Sequence, residues 1–193
     1  HIFNVTARFK TGAVYDPQGK AGLASLTGHV MRDGGSVSMP ADTMNEELEF
    51  LAASVETAID RESGHASLST LRKDIDKGLK IFADVLMHPA FPEDKISMRR
   101  DEVIESIRRE NDNPMHISQR EFRKILYDSA HPYSRKIDGT MESIVAITRD
   151  DIVAFHKKYF HPNNVIMGIA GDFNKGEIIK KLNVVFADWK KEA

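Results

Sequence analysis

The sequence predicts an α+β fold in which a largely antiparallel sheet packs against several helices. Strand-like and helix-like segments interleave along the chain, and two of the strand-like segments, 53–60 and 64–71, are separated only by the short polar turn 61–63. That spacing is typical of an antiparallel hairpin, and hairpins mixed with helices favour α+β. Because no repeat, low-complexity tract or clear linker interrupts the sequence, we expect a single domain over residues 1–193.

Two further strands follow from the distribution of apolar residues. Apolar side chains occupy every second position from Phe3 to Phe9. This is the period of a strand with one buried face, so a strand is predicted within 2–14. The segment 165–170 is mostly apolar and is followed by Gly171 and Asp172, which predicts a buried strand that ends there.

Helices are predicted where apolar residues recur with the helical period between capping residues and breakers. Thr43 and Glu46 have the spacing of a capping box, and Thr148 is a predicted N-cap with Asp151 in the first turn. The pair Asn113-Pro114 separates two helices, because proline disfavours helix at the residue before it. The predicted helices are 20–32, one starting near 43, one near 75–86, then 93–111, 115–127, about 148–160 and about 175–186.

Composition excludes some functions. The chain has 41% hydrophobic and 29% charged residues and a formal net charge of -2, so there is no electrostatic case for nucleic acid as a partner. It has no cysteine, hence neither disulfide nor thiol nucleophile, and no apolar run approaches the roughly 20 residues of a membrane span. Because it starts at His1 and enters a strand at once, we interpret it as a piece of a longer chain.

The segment from Ser25 to His29 has the frame of the helical zinc-protease motif H-x-x-E-H, with most of its chemistry replaced. In that motif two histidines one helical turn apart hold zinc, and the glutamate takes a proton from the metal-bound water. Here Ser25 stands for the first histidine and Gly28 for the glutamate, and only His29 remains. We interpret His29 as a histidine packed on its helix; the alternative is a ligand completed by another chain.

Several short motifs together resemble the insulinase-like (pitrilysin) metallopeptidase family, especially its bacterial branch related to the mitochondrial processing peptidase. Each motif is weak alone, but their order and spacing are specific, and they cover nearly the whole chain. They are 11–24 (TGAVYDPQGKAGLA), 107–114 (IRRENDNP), 131–134 (HPYS), 139–144 (GTMESI), 160–164 (FHPNN) and 171–173 (GDF).

The resemblance implies a third zinc ligand, a glutamate on a later helix. Alignment on 108–114 places this position at Ser106, whereas a slip of one residue would place Glu105 there. Neighbours on a helix point about 100° apart, so both cannot face one site. In the better register His29 is the only retained ligand type, and one imidazole is a poor zinc site. We therefore expect no cofactor, although the family uses zinc.

Three functions are compatible with the resemblance. We favour a non-catalytic subunit that pairs as a heterodimer with a catalytically competent family member and helps to enclose its substrate chamber. A second domain of its own chain, missing from this sequence, would complete it. The alternatives are an active zinc metalloendopeptidase with unusual ligands and a structural core subunit of a larger complex.

The resemblance also implies a binding edge for unfolded peptide in the strand predicted over 53–60. Backbone pairing at a sheet edge needs no catalytic residue, so peptide binding could persist without hydrolysis. The compartment stays open, with the bacterial periplasm or a membrane-associated location as what the resemblance implies. The residues expected to contact substrate are Ser54, Val55, Glu56, Thr57 and Ala58.

Overall fold

Four strands form one antiparallel sheet in the computed structural model, which describes residues 1–110, 112–128 and 131–192. The strand order is β2-β3-β1-β4, so β2 and β4 are the two edges. Phe9 of β1 pairs with Gly64 of β3 on one side and with Val165 of β4 on the other. The predicted α+β class and its antiparallel sheet are confirmed. The strands are β1 Ile2–Phe9, β2 Ser54–Ile59, β3 Gly64–Leu71 and β4 Val165–Gly171.

Eight α-helices lie in the described ranges, and most of the predicted ones are confirmed to within a few residues. The six-residue α6 was not predicted, and Asn111, the predicted last residue of the fourth helix, lies outside the described residues. None of these helices is long and apolar enough to cross a membrane. The helices are α1 Leu23–Asp33, α2 Ala41–Phe50, α3 Ile75–Met87, α4 Glu93–Glu110, α5 Pro114–Leu126, α6 Met141–Ala146, α7 Arg149–Tyr159 and α8 Lys175–Val185.

Capping explains which helix boundaries were predicted correctly. Thr148 accepts a hydrogen bond from the Asp151 amide, and Asp151 accepts one from the Thr148 amide, so the cap predicted for α7 is confirmed as a capping box. The capping box predicted at Thr43 is wrong. Helix α2 begins two residues earlier, because Pro40 at its N-cap has the fixed φ that leads directly into a helix.

One face of the sheet carries the core. Phe3 and Phe9 of β1 are fully buried there, Phe3 against Phe173 and Phe9 against Phe160 and Trp189. Residues of α7 and α8 belong to the same apolar cluster, so the carboxyl-terminal segments share this core. The expectation that 165–170 is a buried strand is wrong: β4 has only one neighbour in the sheet, and Ile166 is 80% exposed.

The first predicted strand is also shorter than expected. β1 ends at Phe9, and residues Ala13–Tyr15 form a 3-10 turn instead of extended chain. Gly12 at the start of that turn has a φ of 151°, and a Cβ atom there would lie 2.3 Å from the Arg61 carbonyl oxygen. The chain therefore leaves the sheet at a glycine, because only glycine lets the two backbones approach so closely.

A buried histidine couples this core to pH. The Nε2 atom of His156, on α7, lies 2.9 Å from the Leu86 carbonyl oxygen, and its ring stacks on Phe160 with centroids 5.2 Å apart. Burial lowers the pKa of His156 from 6.5 to about 4. Between these values the unfolded chain binds a proton that the folded chain does not, so stability present above pH 6.5 is lost as pH falls.

We expect His156→Gln to reduce the acid sensitivity of the fold. The amide of glutamine can still donate to the Leu86 carbonyl, but it does not titrate. The stability of the parent relative to this variant should therefore fall by about 3 kcal/mol between pH 7 and pH 4. Urea unfolding of both proteins at several pH values measures the difference, and parallel profiles over this range would contradict the argument.

Candidate functional site

The start of α1, the helix that carries the altered motif, is fixed by a carboxylate upstream. The two oxygens of Asp16 accept hydrogen bonds from the amides of Gly22 (2.8 Å) and Ala24 (2.9 Å), which satisfies donors at the helix N-terminus. Asp16 is only 5% exposed, and this burial raises its pKa to about 6. Within the segment 11–24, Asp16 therefore fixes the position at which α1 begins.

Helix α1 runs along the edge strand β2 and is hydrogen-bonded to it at two points. The Thr57 hydroxyl donates to the carbonyl oxygen of Gly28 at 2.6 Å. The Arg32 Nε atom donates to the carbonyl oxygen of Val55 at 2.9 Å. The position of the helix against the sheet edge is thus set by polar contacts as well as by packing.

The contact at Gly28 leaves no room for a side chain. A Cβ atom on Gly28 would lie 2.6 Å from the backbone nitrogen of Ile59 and 2.9 Å from the carbonyl carbon of Ala58. Both are backbone atoms of β2, so they cannot move aside as the end of a flexible side chain could. The position at which the motif has its glutamate base is therefore closed as well as chemically empty.

Ser25, at the position of the first histidine, is bound to a residue from a distant loop. It is buried, and its hydroxyl donates to the Oδ1 atom of Asp138 at 2.9 Å. Asp138 precedes Gly139, whose φ of 76° and close contact with the Ala21 backbone bring this loop against the start of α1. The hydroxyl of Ser25 thus has a structural partner, and among the described residues no basic side chain forms the hydrogen bond with it that a nucleophile would require.

His29 and Ser106 differ in exposure, but Arg99, Glu102 and Asp138 lie near both. His29 is half-buried, and its pKa is lowered by burial and by the charge of Arg99. Ser106 is exposed on α4 and lines a cleft of about 210 Å³ together with Arg99 and Asp138. The neighbouring Glu105 is paired with Arg108 and does not line this cleft.

Comparison with known proteins gives two family matches for this chain. Residues 2–139 match the family described as Insulinase (Peptidase family M16). The chain belongs to the insulinase family. Residues 146–193 of this insulinase-family chain match the family described as Peptidase M16 inactive domain. The predicted family resemblance is therefore confirmed, and the altered motif lies within the first of the two matches.

Individual relatives of this insulinase-family chain are distant in sequence. An uncharacterized zinc protease of Rickettsia bellii is 25% identical over 178 residues, 92% of this chain and 43% of the relative. The beta subunit of the mitochondrial-processing peptidase of Dictyostelium discoideum is 23% identical over 187 residues, 93% of this chain and 38% of the relative. The crystal structure of a peptidase M16 inactive domain from Pseudomonas fluorescens is 26% identical with a TM-score of 0.89, covering 96% of this chain and 45% of that one. This chain thus spans less than half the length of each.

The zinc implied by the family does not fit the donors present. Structural and catalytic zinc sites take at least three nitrogen, sulfur or carboxylate ligands from the protein. In the described ranges, no three His, Cys, Asp or Glu side chains are gathered so that they could hold a metal ion. The charges near His29 are of both signs, because in addition to burial Arg99 lowers its pKa, whereas Asp33, Asp138 and Glu102 raise it. Arg99 is also paired with Glu102 at 2.8 Å, so the misfit with zinc lies in the arrangement of the ligands and not in the local charge.

Several residues of this site were missed in the sequence. Asp138 lies directly before the recognised segment 139–144, and its bond to Ser25 spans 113 positions, which no local pattern reveals. Arg32 resembles any basic residue in the last turn of a helix. Asp16 lies within the recognised segment 11–24 but six residues before the N-cap Gly22, too far for the local capping signal, which concerns the N-cap residue itself. Long-range partners of this kind emerge only from the fold.

We expect Gly28→Ala to lower the free energy of unfolding by about 2 kcal/mol, because the added methyl group overlaps the β2 backbone. This outcome opposes helix propensity, by which alanine is favoured over glycine by about 1 kcal/mol. The matched control is Gly176→Ala in α8, where a Cβ atom would lie 3.3 Å from only the Asn174 side chain. Chemical denaturation measures both, and a Gly28→Ala protein as stable as the parent would contradict the closed geometry.

Proposed function

We propose that this chain is a non-catalytic domain of an insulinase-family assembly that serves a catalytically competent zinc peptidase. The observation that carries the proposal is the contact between Gly28 and the β2 backbone. A missing glutamate alone could be replaced by a base from elsewhere, but a helix seated against the strand also removes the space in which a base and a metal-bound water would work. The bond between Ser25 and Asp138 supports the same conclusion.

A role for a partner subunit is supported by the kind of relatives that the chain has. The matched protein of Dictyostelium discoideum is named as a subunit of a peptidase, and the solved structure from Pseudomonas fluorescens is described as an inactive domain. We propose that this chain forms a heterodimer with an active family member, together with a second domain of its own chain. Its contribution would be to shape the chamber and to hold unfolded peptide.

Peptide binding at β2 is the more specific part of this proposal. The hydrogen bond from the Asp60 amide to the Ser63 carbonyl (2.8 Å) closes the hairpin to β3. In an antiparallel pair hydrogen-bonded residues alternate, so the backbone groups of Val55, Thr57 and Ile59 point toward the free edge. An extended peptide could pair there while the side chains of Ser54, Glu56 and Ala58, on the open face of the sheet, contact it.

Helix α1 restricts that edge. Arg32 already donates to the Val55 carbonyl, and Gly28 lies against the Ile59 amide. The backbone of Thr57 is thus the central group left for an added strand, and a peptide that extends past it must displace the Arg32 side chain. This competition predicts weak and reversible binding, which suits a subunit that presents a peptide and does not retain it.

Zinc content distinguishes this function from that of an active peptidase with unusual ligands. We expect the purified protein to contain far less than stoichiometric zinc, and His29→Ala to leave that content unchanged, because one imidazole does not hold the ion. Elemental analysis after incubation with zinc and gel filtration gives the value. An active family member with a complete H-x-x-E-H motif, treated identically, is the positive control. Stoichiometric zinc that disappears in His29→Ala would overturn the proposal.

Co-expression tests the partner role. With an active family member from the same genome, we expect this protein to co-elute as a heterodimer and to raise peptidase activity above that of the active member alone. Activity should persist with His29→Ala in this chain and vanish when the motif glutamate of the active member is replaced. Activity that required His29 would contradict the proposal, and so would failure to associate with every such relative. Stable incorporation into a larger complex without peptidase activity would instead indicate a structural core subunit.

A further inference from the structure

A second candidate site lies away from the altered motif, between the β2–β3 turn and α5. It is a cavity of about 410 Å³ lined by two arginines, Arg61 from the turn and Arg123 from α5. Four further lining residues have apolar or aromatic side chains. They are Phe122, Leu126, Tyr127 and Tyr133.

The apolar part of this cavity is exposed to an unusual degree. Helix α5 has a strongly amphipathic sequence, yet none of its residues is buried. Phe122 is 61% exposed and Leu126 is 57% exposed. Contiguous apolar side chains of this size on a protein surface mark interaction sites, because leaving them in water forgoes the free energy of their burial.

The two arginines form no ion pair among the described residues, and the acidic group that acts on Arg61 is the adjacent Glu62, outside the cavity lining. The guanidinium of Arg61 lies 5.4 Å from the centre of the Tyr133 ring and donates to the Arg135 carbonyl at 3.2 Å. The pKa of Arg61 is lowered by partial burial and by the charge of Arg123. In the part of the chain that the structure describes, neither arginine forms an ion pair with a carboxylate. A bound anion would reduce the electrostatic repulsion between these two guanidinium groups.

The cavity continues into a longer groove. A neighbouring cavity of about 230 Å³ shares Gln119 and Arg123 with it, and also contains Glu110 and Asp138. These two acidic residues also line the cleft at Ser106, so the groove runs from the arginines to that cleft. The neighbouring cavity carries charges of both signs, because Arg120 and Lys136 line it together with Glu110 and Asp138. The class of ligand therefore follows from the exposed Phe122 and Leu126, which favour a polypeptide with apolar side chains over a polyanion.

We propose that this cavity binds an extended polypeptide segment in which an acidic side chain lies next to large apolar side chains. The carboxylate accepts hydrogen bonds from Arg61 and Arg123, and the apolar side chains pack on Phe122 and Leu126. This interaction requires neither zinc nor the β2 edge. Its test is therefore independent of the function proposed above.

Fluorescence anisotropy with labelled synthetic peptides tests the proposal on the full 193-residue chain. The probe contains Glu-Leu-Phe in a Gly-Ser background, and its counterparts contain Gln-Leu-Phe and Glu-Ser-Ser. We expect the first peptide to bind about tenfold more tightly than either counterpart, the factor set by one charge-assisted interaction or one buried apolar pair. Equal affinity for the Glu and Gln peptides, or no binding of the first, would overturn the proposal.

Variants on one helix locate the binding. Arg123→Gln should weaken binding of the Glu-Leu-Phe peptide about tenfold and leave the Gln-Leu-Phe peptide unaffected. The matched control is Lys124→Gln, which removes the same charge from the next residue, where the lysine is paired with Glu121 outside the cavity. Far-UV circular dichroism verifies that both variants fold. An equal loss in the two variants would indicate a diffuse charge effect and would overturn the site, as would competition by inorganic phosphate at an affinity equal to that of the peptide.

Discussion

The close approach of helix α1 to strand β2 at Gly28 is the constraint on which the rest of the site depends. A glycine inside a helix costs about 1 kcal/mol relative to alanine, so its presence needs compensation. Here the compensation is direct backbone packing, together with the hydrogen bond from Thr57 to the Gly28 carbonyl. The absence of a side chain at position 28 and the close packing of α1 against β2 therefore depend on each other. A side chain at this position would push the helix away from the sheet edge.

With α1 packed against β2 in this way, the polar groups on and around this helix have partners within the fold. Ser25 binds Asp138, Asp16 caps α1, and Arg32 takes a carbonyl of β2. Buried polar groups are costly when they are left without a hydrogen bond, so each of these contacts stabilises the altered arrangement. Substitutions at Ser25 or Gly28 would therefore also break contacts that hold this part of the fold together.

The sequence predicted this fold where the signals are local, and failed where a distant residue decides. The Thr148 cap and the hairpin of β2 and β3 depend on neighbouring residues, and both are confirmed. Burial of β4 depends on what covers it in three dimensions, and an apolar composition could not reveal that it lies at an edge. For the site, Gly28 could be recognised as a missing base. The clash that makes it a required glycine involves Ile59, which no periodicity associates with it.

Two buried titrating groups act on stability with opposite signs. The pKa of His156 is lowered to about 4, so this residue makes the fold less stable as pH falls. The pKa of Asp16 is raised from 3.8 to about 6, so the folded state binds the additional proton between these values, and stability from this group falls as pH rises. The two windows overlap between about pH 4 and pH 6, and the shifts are of similar size, so their contributions largely cancel.

This cancellation has a consequence for the altered motif. Asp16 caps the helix that carries Gly28, and His156 contacts the last turn of α3 in the core beneath the sheet. Protonation of Asp16 alone would weaken the cap, since a neutral carboxyl accepts less strongly from the amides of Gly22 and Ala24. Because His156 titrates in the opposite sense, the contributions of these two residues to the unfolding free energy largely offset each other over this range. Local loosening at the start of α1 can then occur without global unfolding, and the closed contact at Gly28, further along the helix, is kept by its packing against β2.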